Sequence, residues 1–288
     1  MKRGFLIGGG LLSLGLVLQL CVGPVMWDAL AWPVNGIVLA GFLLLIAIIY
    51  LFRKKVAIFR LVGTYQAAIP ALVYAVVLTI VMGLIRQNPD GRWLDNMLVF
   101  WPFVLIYVFM ALILGQVVIR QLVMVISHLS LITYHLSLLS HLGLFLAMTT
   151  ATLGNADMQR LKMVAMLGEP EWRAVSPYGT IQEMPMTIEL KRFIMETYDD
   201  GSPKRFASDI LIRTKDDEQM LTTVDVNKPV EVDGWKIYQY SYDTQMGPKS
   251  EISILELVSD PWLPLVYTGI YMLLAGAVGM FVFGGKRK

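Results

Sequence analysis

SHLSLITYHLSLLSHLGLFLAMTTATLG, residues 127–154, lies where one kind of sequence gives way to another. Up to Gly154, apolar residues come in runs of about 20, the length that a helix needs to cross the hydrocarbon core of a bilayer. Beyond Gly154, apolar and polar residues alternate in short segments, which is the pattern of half-buried β-strands. The chain therefore combines a helical part with a β-rich part.

The composition excludes an ordinary soluble protein. Of the 288 residues, 56% are hydrophobic and 16% are charged, and the mean hydropathy is +0.60. Such a chain is an integral membrane protein. Residues 155–260 hold 19 acidic and 12 basic residues, whereas the rest of the chain holds 3 acidic and 12 basic residues. We therefore expect an acidic polar domain attached to a membrane bundle with basic flanks.

Six apolar segments are long enough, or nearly so, to span a membrane. They lie at about residues 5–22, 34–52, 65–85, 98–119, 132–153 and 261–283. The interval from Arg120 to Gly154 exceeds one minimal span, so we expect either a long helix or an interfacial lead-in there. The predicted domains are a bundle of about five spans at 1–154, a β-rich domain at 155–259, and a last span with a basic tail at 260–288.

The distribution of lysine and arginine predicts the orientation of the bundle. If the N-terminus is cytoplasmic, ten Lys and Arg residues fall inside, and only Arg86 and Arg92 fall on short outside loops. This positive-inside bias predicts that both termini are cytoplasmic and that the β-rich domain is extracytoplasmic, or periplasmic. We expect a multi-pass protein of the cytoplasmic membrane, in contact with lipid, with no nucleic-acid partner.

Period-two alternation is clearest in three segments of the β-rich domain, MTIEL (186–190), RFASDILIR (205–213) and MLTTVDV (220–226). Turn signals such as DDGSPK and VDGW separate these segments. The pattern predicts a small antiparallel all-β domain. A short helix near ADMQRLKMVAMLGE, residues 156–169, is expected to lead into it.

The candidate chemistry lies in three histidines, His128, His135 and His141. His128 and His135 are seven residues apart and share a helix face, whereas His141 lies on another face. No pair has the i, i+3 or i, i+4 spacing that two ligands on one helix require, so no zinc or di-metal site is expected. The single cysteine, Cys21, excludes disulfides within the chain and cysteine metal clusters. CxxCH, P-loop, GxSxG, HExxH and GxGxxG motifs are absent.

The histidines allow two interpretations. His128 and His135 lie near the predicted inner edge of the membrane, where interfacial or hydrogen-bonded side chains are the simpler reading. His141 lies deeper, and imidazoles within a membrane mark proton paths, cofactors or interhelical hydrogen bonds. Gly143 would allow the close approach of either a flat ligand or a neighbouring helix.

Several segments resemble the ResB/CcsB family of cytochrome c biogenesis, the smaller partner in the system II haem-delivery machinery. They are SHLGLFL (140–146), LGEPEW (167–172), MPMTIELKRFIMETYDDGSPKRFASDI (184–210), VNKPVEVDGWKIYQYSYD (226–243) and VSDPWLPLVYTGIYMLLAGAVGMF (258–281). With spans three to five they cover roughly residues 60–284, in the order found in the family. The chain departs from the family in having five spans rather than three before the β-rich domain.

The resemblance implies a subunit of the system II cytochrome c synthetase. Such a subunit takes part in haem passage across the membrane and in presenting haem and apocytochrome c, with its CxxCH motif, for thioether attachment. His141 would be an axial ligand of haem b, shared with a separate CcsA-type membrane protein. Asp260 corresponds to an acidic residue at the start of the last span, with helix capping as the alternative role. The chain would be a non-catalytic or co-catalytic subunit without catalytic residues of its own.

Two other functions stay open at this point. One is a haem b-binding membrane anchor of a quinol-linked redox complex, which would normally need paired histidines on facing helices. The other is a non-enzymatic membrane protein whose exterior β-rich domain binds a ligand.

Overall fold

The computed structural model describes residues 1–88, 91–127 and 132–284. These residues form two compact units. The helical unit contains the chain up to Asp157 and again from Trp262 onward, and the sheet unit contains Met158–Pro261. The sheet unit is thus inserted in the chain before the last helix.

The helical unit contains six long helices and one short one among the described residues. Their bounds are α1 (Lys2–Cys21), α2 (Val34–Phe52), α3 (Ala57–Leu61), α4 (Tyr65–Leu84), α5 (Trp101–Ser127), α6 (Ile132–Gly154) and α7 (Leu263–Gly284). All except α3 are long and apolar enough to cross a membrane. The predicted bundle of about six spans, with an all-β domain inserted before the last span, is confirmed.

Helix α5 lies at the centre of the bundle and contacts α1, α2, α4 and α6. Gln19 of α1 places Oε1 3.0 Å from the backbone nitrogen of Trp101, so it accepts a hydrogen bond from the first turn of α5, where no intrahelical acceptor exists. Gln116 of α5 donates from Nε2 to the carbonyl oxygen of Ile46 in α2, at 2.7 Å. These amides fix neighbouring spans where the hydrophobic effect does not drive helices together.

Helices α6 and α7 pack closely through small residues. A Cβ atom at Gly269 would lie 2.6 Å from the backbone nitrogen of Ala147, and one at Gly276 would lie 2.5 Å from that of Ser140. Glycine is therefore required at both positions, because any side chain would push the backbones apart. Later residues of α7 meet earlier residues of α6, so the two helices run antiparallel.

The sheet unit is one eight-stranded antiparallel sheet, with the order β5-β4-β3-β2-β1-β8-β7-β6. The strand bounds are β1 (Gln159–Met166), β2 (Pro170–Val175), β3 (Ile181–Thr197), β4 (Pro203–Thr214), β5 (Gln219–Asp225), β6 (Val230–Val232), β7 (Trp235–Tyr242) and β8 (Ile252–Ser259). Consecutive strands pair except β5 and β6, β1 also pairs with β8, and the sheet curls so that β5 lies near β6 and β7. The unit is therefore a nearly closed barrel, open between β5 and β6.

Alternate side chains fill the interior of this barrel. As the period-two pattern predicts, Ile188 and Leu190 of β3 and Ile210 and Ile212 of β4 are fully buried in one apolar core. Eight strands enclose a space that side chains alone can fill. A buried polar cluster lies beside this core, in which Ser208 donates its hydroxyl to Ser253 Oγ at 2.7 Å and Gln239 donates from Nε2 to the same Oγ at 3.0 Å.

The structure corrects two predictions of local structure. Helix α5 runs to Ser127 instead of ending near residue 119, so the long interval begins with a long helix. The segment predicted as a short helix is strand β1, whose residues Leu161, Met163 and Ala165 are buried. Its whole length pairs with β8, and strand pairing with burial outweighs local helix preference.

Candidate functional site

His141 lies on α6 with a half-buried side chain. Its Nδ1 is 2.7 Å from the carbonyl oxygen of Ser137, one turn earlier. A carbonyl can only accept, so Nδ1 carries a proton, and in the neutral imidazole Nε2 then has the lone pair. No residue in the described part of the chain forms a hydrogen bond with Nε2. Metal-binding histidines commonly have this arrangement, in which one ring nitrogen donates to a backbone carbonyl and the other faces the metal.

Gln121 of α5 completes the surroundings of His141. Its Nε2 donates to Ser137 Oγ at 2.8 Å and lies 3.4 Å from His141 Nδ1. Its Oε1 is buried and has no hydrogen-bond partner among residues 1–88, 91–127 and 132–284. Sequence reasoning that considered only histidines missed Gln121. A glutamine inside an apolar span was the available signal, because polar side chains there mark functional or packing sites.

Among these side chains, only the His141 imidazole is placed to act as an axial ligand of a haem iron. His135 lies six residues before His141 on the same helix, a rotation of about 120°, so the two rings cannot bind opposite sides of one iron. Where the structure describes the chain, no group of three or more His, Cys, Asp or Glu could hold a metal ion. The described histidines could therefore supply at most one axial ligand to one iron.

The groove between α5 and α6 also contains an apolar cavity of about 260 Å³. Phe103 and Tyr107 of α5, Thr152 of α6 and Trp27 contribute to its lining. Thr152 is eleven residues from His141, which is three helical turns on the same face and about 16 Å along α6. The cavity and the imidazole thus lie on the same side of α6, the side that faces α5.

Gly143 serves helix packing. A Cβ atom there would lie 2.5 Å from the carbonyl oxygen of Gly269 and 2.8 Å from Cβ of Met272 in α7. Of the two partners considered from the sequence, a neighbouring helix or a flat ligand, the structure places a helix against Gly143.

A cluster of hydrogen bonds surrounds one carboxylate, that of Asp157, just after α6 ends. Asp157 accepts hydrogen bonds from the backbone N–H of Trp32 at 2.7 Å, from Asn35 Nδ2 at 2.7 Å and from the indole N–H of Trp262 at 2.6 Å. Burial raises the pKa of Asp157, but these three donors outweigh it and hold the pKa below its ordinary value. The cluster ties together the start of α2, the end of α6 and the start of α7. Sequence analysis did not single out Asp157.

The other predicted site residues lie apart from His141. His135 is half-buried on α6, and Asp260 is half-buried between the end of β8 and the start of α7. Asp260 lies three residues before Leu263, the first residue of α7, so it does not occupy the position immediately before the helix. His128 lies outside the described residues. The roles predicted for all of these residues stay predictions.

Comparisons with known proteins give partial matches. Residues 125–254 match the model of the ResB-like family. A protein named cytochrome c biogenesis protein CcsB, from Prochlorococcus marinus subsp. pastoris (strain CCMP1986 / NIES-2087 / MED4), is 29% identical over 100 residues. That match covers 34% of this chain and 22% of the relative.

Among solved structures, cytochrome c haem lyase CcmF is similar, with 14% sequence identity and a TM-score of 0.37. The alignment covers 85% of this chain and 44% of CcmF. The chain thus matches about a fifth of the length of the curated relative and less than half of the solved one.

Proposed function

We propose that the chain, whose residues 125–254 match the model of the ResB-like family, is a member of that family and a membrane subunit of the cytochrome c biogenesis machinery. In this proposal it helps haem to cross the membrane and to meet apocytochrome c, together with a separate CcsA-type protein. Both termini would be cytoplasmic and the sheet unit extracytoplasmic, as the charge distribution predicts.

The observation that supports the proposal is the orientation of the His141 imidazole, whose Nε2 has no hydrogen-bond partner among the described residues and could bind iron. His141 donates from Nδ1 to the Ser137 carbonyl, which leaves Nε2 as the coordinating atom. The Ser137 carbonyl holds the ring from the preceding turn, and Gln121 of α5 donates to Ser137 Oγ beside it. A single axial ligand suits haem that is passed from one protein to another. In this proposal His141 supplies one ligand of the iron, and the receiving protein supplies the other.

In this proposal haem is cargo, and the residues of this chain bind and orient it. His141 Nε2 would bind the iron, and the apolar side chains of the α5–α6 groove would exclude water. The aromatic cavity about three turns from His141 supports a route along this groove. Attachment adds each apocytochrome thiol S–H across a haem vinyl C=C, so no oxidant is consumed. That step would take place on the partner.

The alternative of a permanent redox anchor has less support from the site. An electron-transferring haem b normally has two axial histidines, and the two described histidines, His135 and His141, lie on different faces of α6. The ligand-binding alternative for the sheet unit also has less support, because apolar side chains fill the barrel interior.

The proposal is tested by purifying the full chain with a co-expressed CcsA-type partner and recording haem spectra. Wild type should carry b-type haem mainly in the complex. His141→Ala should lower both bound haem and covalent cytochrome c by about tenfold or more. His141→Met should retain some haem at a higher reduction potential, because thioether ligation raises it.

His135→Ala is the matched control, since it removes an imidazole from the same helix but from another face. It should leave the spectrum and cytochrome c maturation unchanged. Stable haem in the chain purified without a partner would favour the redox anchor. Normal maturation in the His141→Ala strain would refute the role of this residue.

A further inference from the structure

A cationic cavity lies where α1 begins. It has a volume of about 500 Å³, and Lys2, Arg3 and Arg60 line it together with residues at the start of α4. Asp28 is the only acidic residue among positions 1–88, and no acidic residue lines the cavity. The ion pairs recorded in the described part of the chain all lie in the sheet unit, so these three cations have no carboxylate partner there.

The start of α4 adds to the positive character of this cavity. Thr64, Tyr65 and Gln66 line it, and α4 begins at Tyr65. The first N–H groups of a helix have no intrahelical acceptor and form the positive end of the helix dipole. The cavity therefore combines three cationic side chains with the positive end of a helix dipole.

An apolar trough adjoins the cationic cavity and shares Lys2 with it. The trough runs along α1 and α4, with a volume of about 710 Å³, and Phe5, Leu6 and Tyr74 form its apolar walls. It exists because side chains are missing at Gly9 and Gly10. A Cβ atom at Gly10 would have no neighbour within 4 Å, and one at Gly9 would lie 3.5 Å from Tyr74 Oη.

Other glycines of α1 behave differently. A Cβ atom at Gly4 would lie 2.8 Å from Cγ of Pro70 and still closer to the carbonyl oxygen of Gln66, so Gly4 is required for packing against α4. Pro70 has no N–H, so the Gln66 carbonyl lacks its usual intrahelical donor, and α1 approaches α4 at this point. Helix contact explains Gly4, whereas nothing in the packing requires glycine at position 10.

We infer that the cavity and the trough together bind one anionic phospholipid. The phosphate lies among Lys2, Arg3 and Arg60, and an acyl chain lies over Gly9 and Gly10. Basic pockets between spans recognise anionic headgroups by charge, and a neighbouring apolar surface accommodates the chain.

Two other anions share part of this chemistry. Free phosphate would use the cationic cavity alone. Haem also combines carboxylates with an apolar body, but the trough offers no iron ligand, because Tyr74 donates its hydroxyl to the Phe5 carbonyl at 3.0 Å. The lipid site is independent of the function proposed for His141.

The first test compares two triple variants of the full chain in nanodiscs or detergent. Lys2→Gln/Arg3→Gln/Arg60→Gln removes the three cavity cations, and Arg53→Gln/Lys54→Gln/Lys55→Gln removes three cations that do not line it. Native mass spectrometry measures retained phosphatidylglycerol, with phosphatidylcholine as the neutral reference. We expect the first variant to lose phosphatidylglycerol by about tenfold to a hundredfold, since each cation contributes about 1 kcal/mol. Equal losses of phosphatidylglycerol in both variants would contradict a specific site and indicate general electrostatic attraction between the lipid and basic residues.

The second test fills the trough. Gly10→Leu enters open space and improves helix propensity, so the protein should fold normally. It should weaken retention of phosphatidylglycerol while inorganic phosphate binding stays unchanged. Unchanged phosphatidylglycerol retention in Gly10→Leu would show that no acyl chain occupies the trough. If the haem absorbance band were lost in the cavity triple variant but kept in His141→Ala, the ligand of the cavity would be haem and the lipid proposal would be wrong.

Discussion

At the scale of single residues, the hydrogen bond at Nδ1 gives His141 its distinct chemistry. The sequence placed an imidazole deep in an apolar run and separated it by spacing from His128 and His135. It did not show which ring nitrogen is engaged, because that depends on the Ser137 carbonyl one turn away. It also did not show that Gln121, twenty residues earlier in the chain, lies beside the ring.

Asp157 gives a prediction at this scale. Asp157→Asn keeps the size of the side chain but removes the charge that three donors share. Hydrogen bonds to charged groups are stronger than neutral ones, so the free energy of unfolding should fall by about 1–3 kcal/mol. Thermal unfolding of the purified protein measures the loss. Asp28→Asn, at an exposed position, should leave the unfolding temperature unchanged.

The same carboxylate predicts a pH dependence. The folded pKa of Asp157 is below its ordinary value, so its contribution to stability is complete above that value and is lost as the pH falls through the folded pKa. The difference in unfolding temperature between wild type and Asp157→Asn should therefore be constant from about pH 7 to about pH 5 and shrink below about pH 4. A difference that grew on acidification would contradict the lowered pKa.

At the scale of elements, α6 and α7 pack closely through glycines. The glycines of both helices are visible in the sequence, but glycine in a membrane span serves packing, bending or ligand approach. Only the structure shows that Gly269 and Gly276 meet the backbone of α6. The sheet unit is inserted in the chain between α6 and α7. The contact between these two helices therefore joins the segments that precede and follow the insertion.

Gly276→Ala tests this contact. The added methyl would meet Ser140 backbone nitrogen at 2.5 Å and the Leu136 carbonyl oxygen at 2.7 Å. Such overpacking should destabilise the protein by about 1–3 kcal/mol, measured by thermal unfolding in detergent. Gly83→Ala in α4 is the control, because nothing lies within 4 Å of its Cβ. It should be neutral or slightly stabilising, since alanine is the better helix former.

Some strands could be predicted from the local sequence pattern, whereas β1 depends on pairing with a distant strand. Alternation in MTIEL and RFASDILIR predicted the inward faces of β3 and β4, because burial in a sheet has a period of two. The segment of β1 was misread, since its Leu, Lys, Met and Ala are all good helix formers. Pairing with β8, about ninety residues later in sequence, gives that segment its strand conformation.

At the scale of the whole molecule, the sheet unit has its own buried apolar core. Strands β1 and β8 pair from Gln159↔Ser259 to Met166↔Ile252, so the two ends of the unit lie side by side. We therefore expect residues 158–261 to fold when expressed alone. Far-UV circular dichroism should show β-structure with one cooperative thermal transition, and non-cooperative melting would contradict this expectation.

Two leucines provide matched controls in that isolated unit. Leu255 is fully buried in the core, whereas Leu221 has 69% of its surface exposed. Leu255→Ala should lower the free energy of unfolding by about 2–5 kcal/mol. Leu221→Ala should change it by less than about 0.5 kcal/mol. Similar effects of both substitutions would show that the barrel interior is not the stabilising core.

The sequence by itself determined the membrane character, the six spans, the inserted β domain and the family resemblance. Hydrophobic run length, period-two alternation and motif order are properties of neighbouring residues, so they can be read along the chain. Only the tertiary structure decided that Gln121 faces His141, that Asp157 gathers Trp32, Asn35 and Trp262, and that Gly10 is open while Gly4 is packed. Each of these depends on residues distant in sequence, whose contacts are selected by the packing of complete helices and strands.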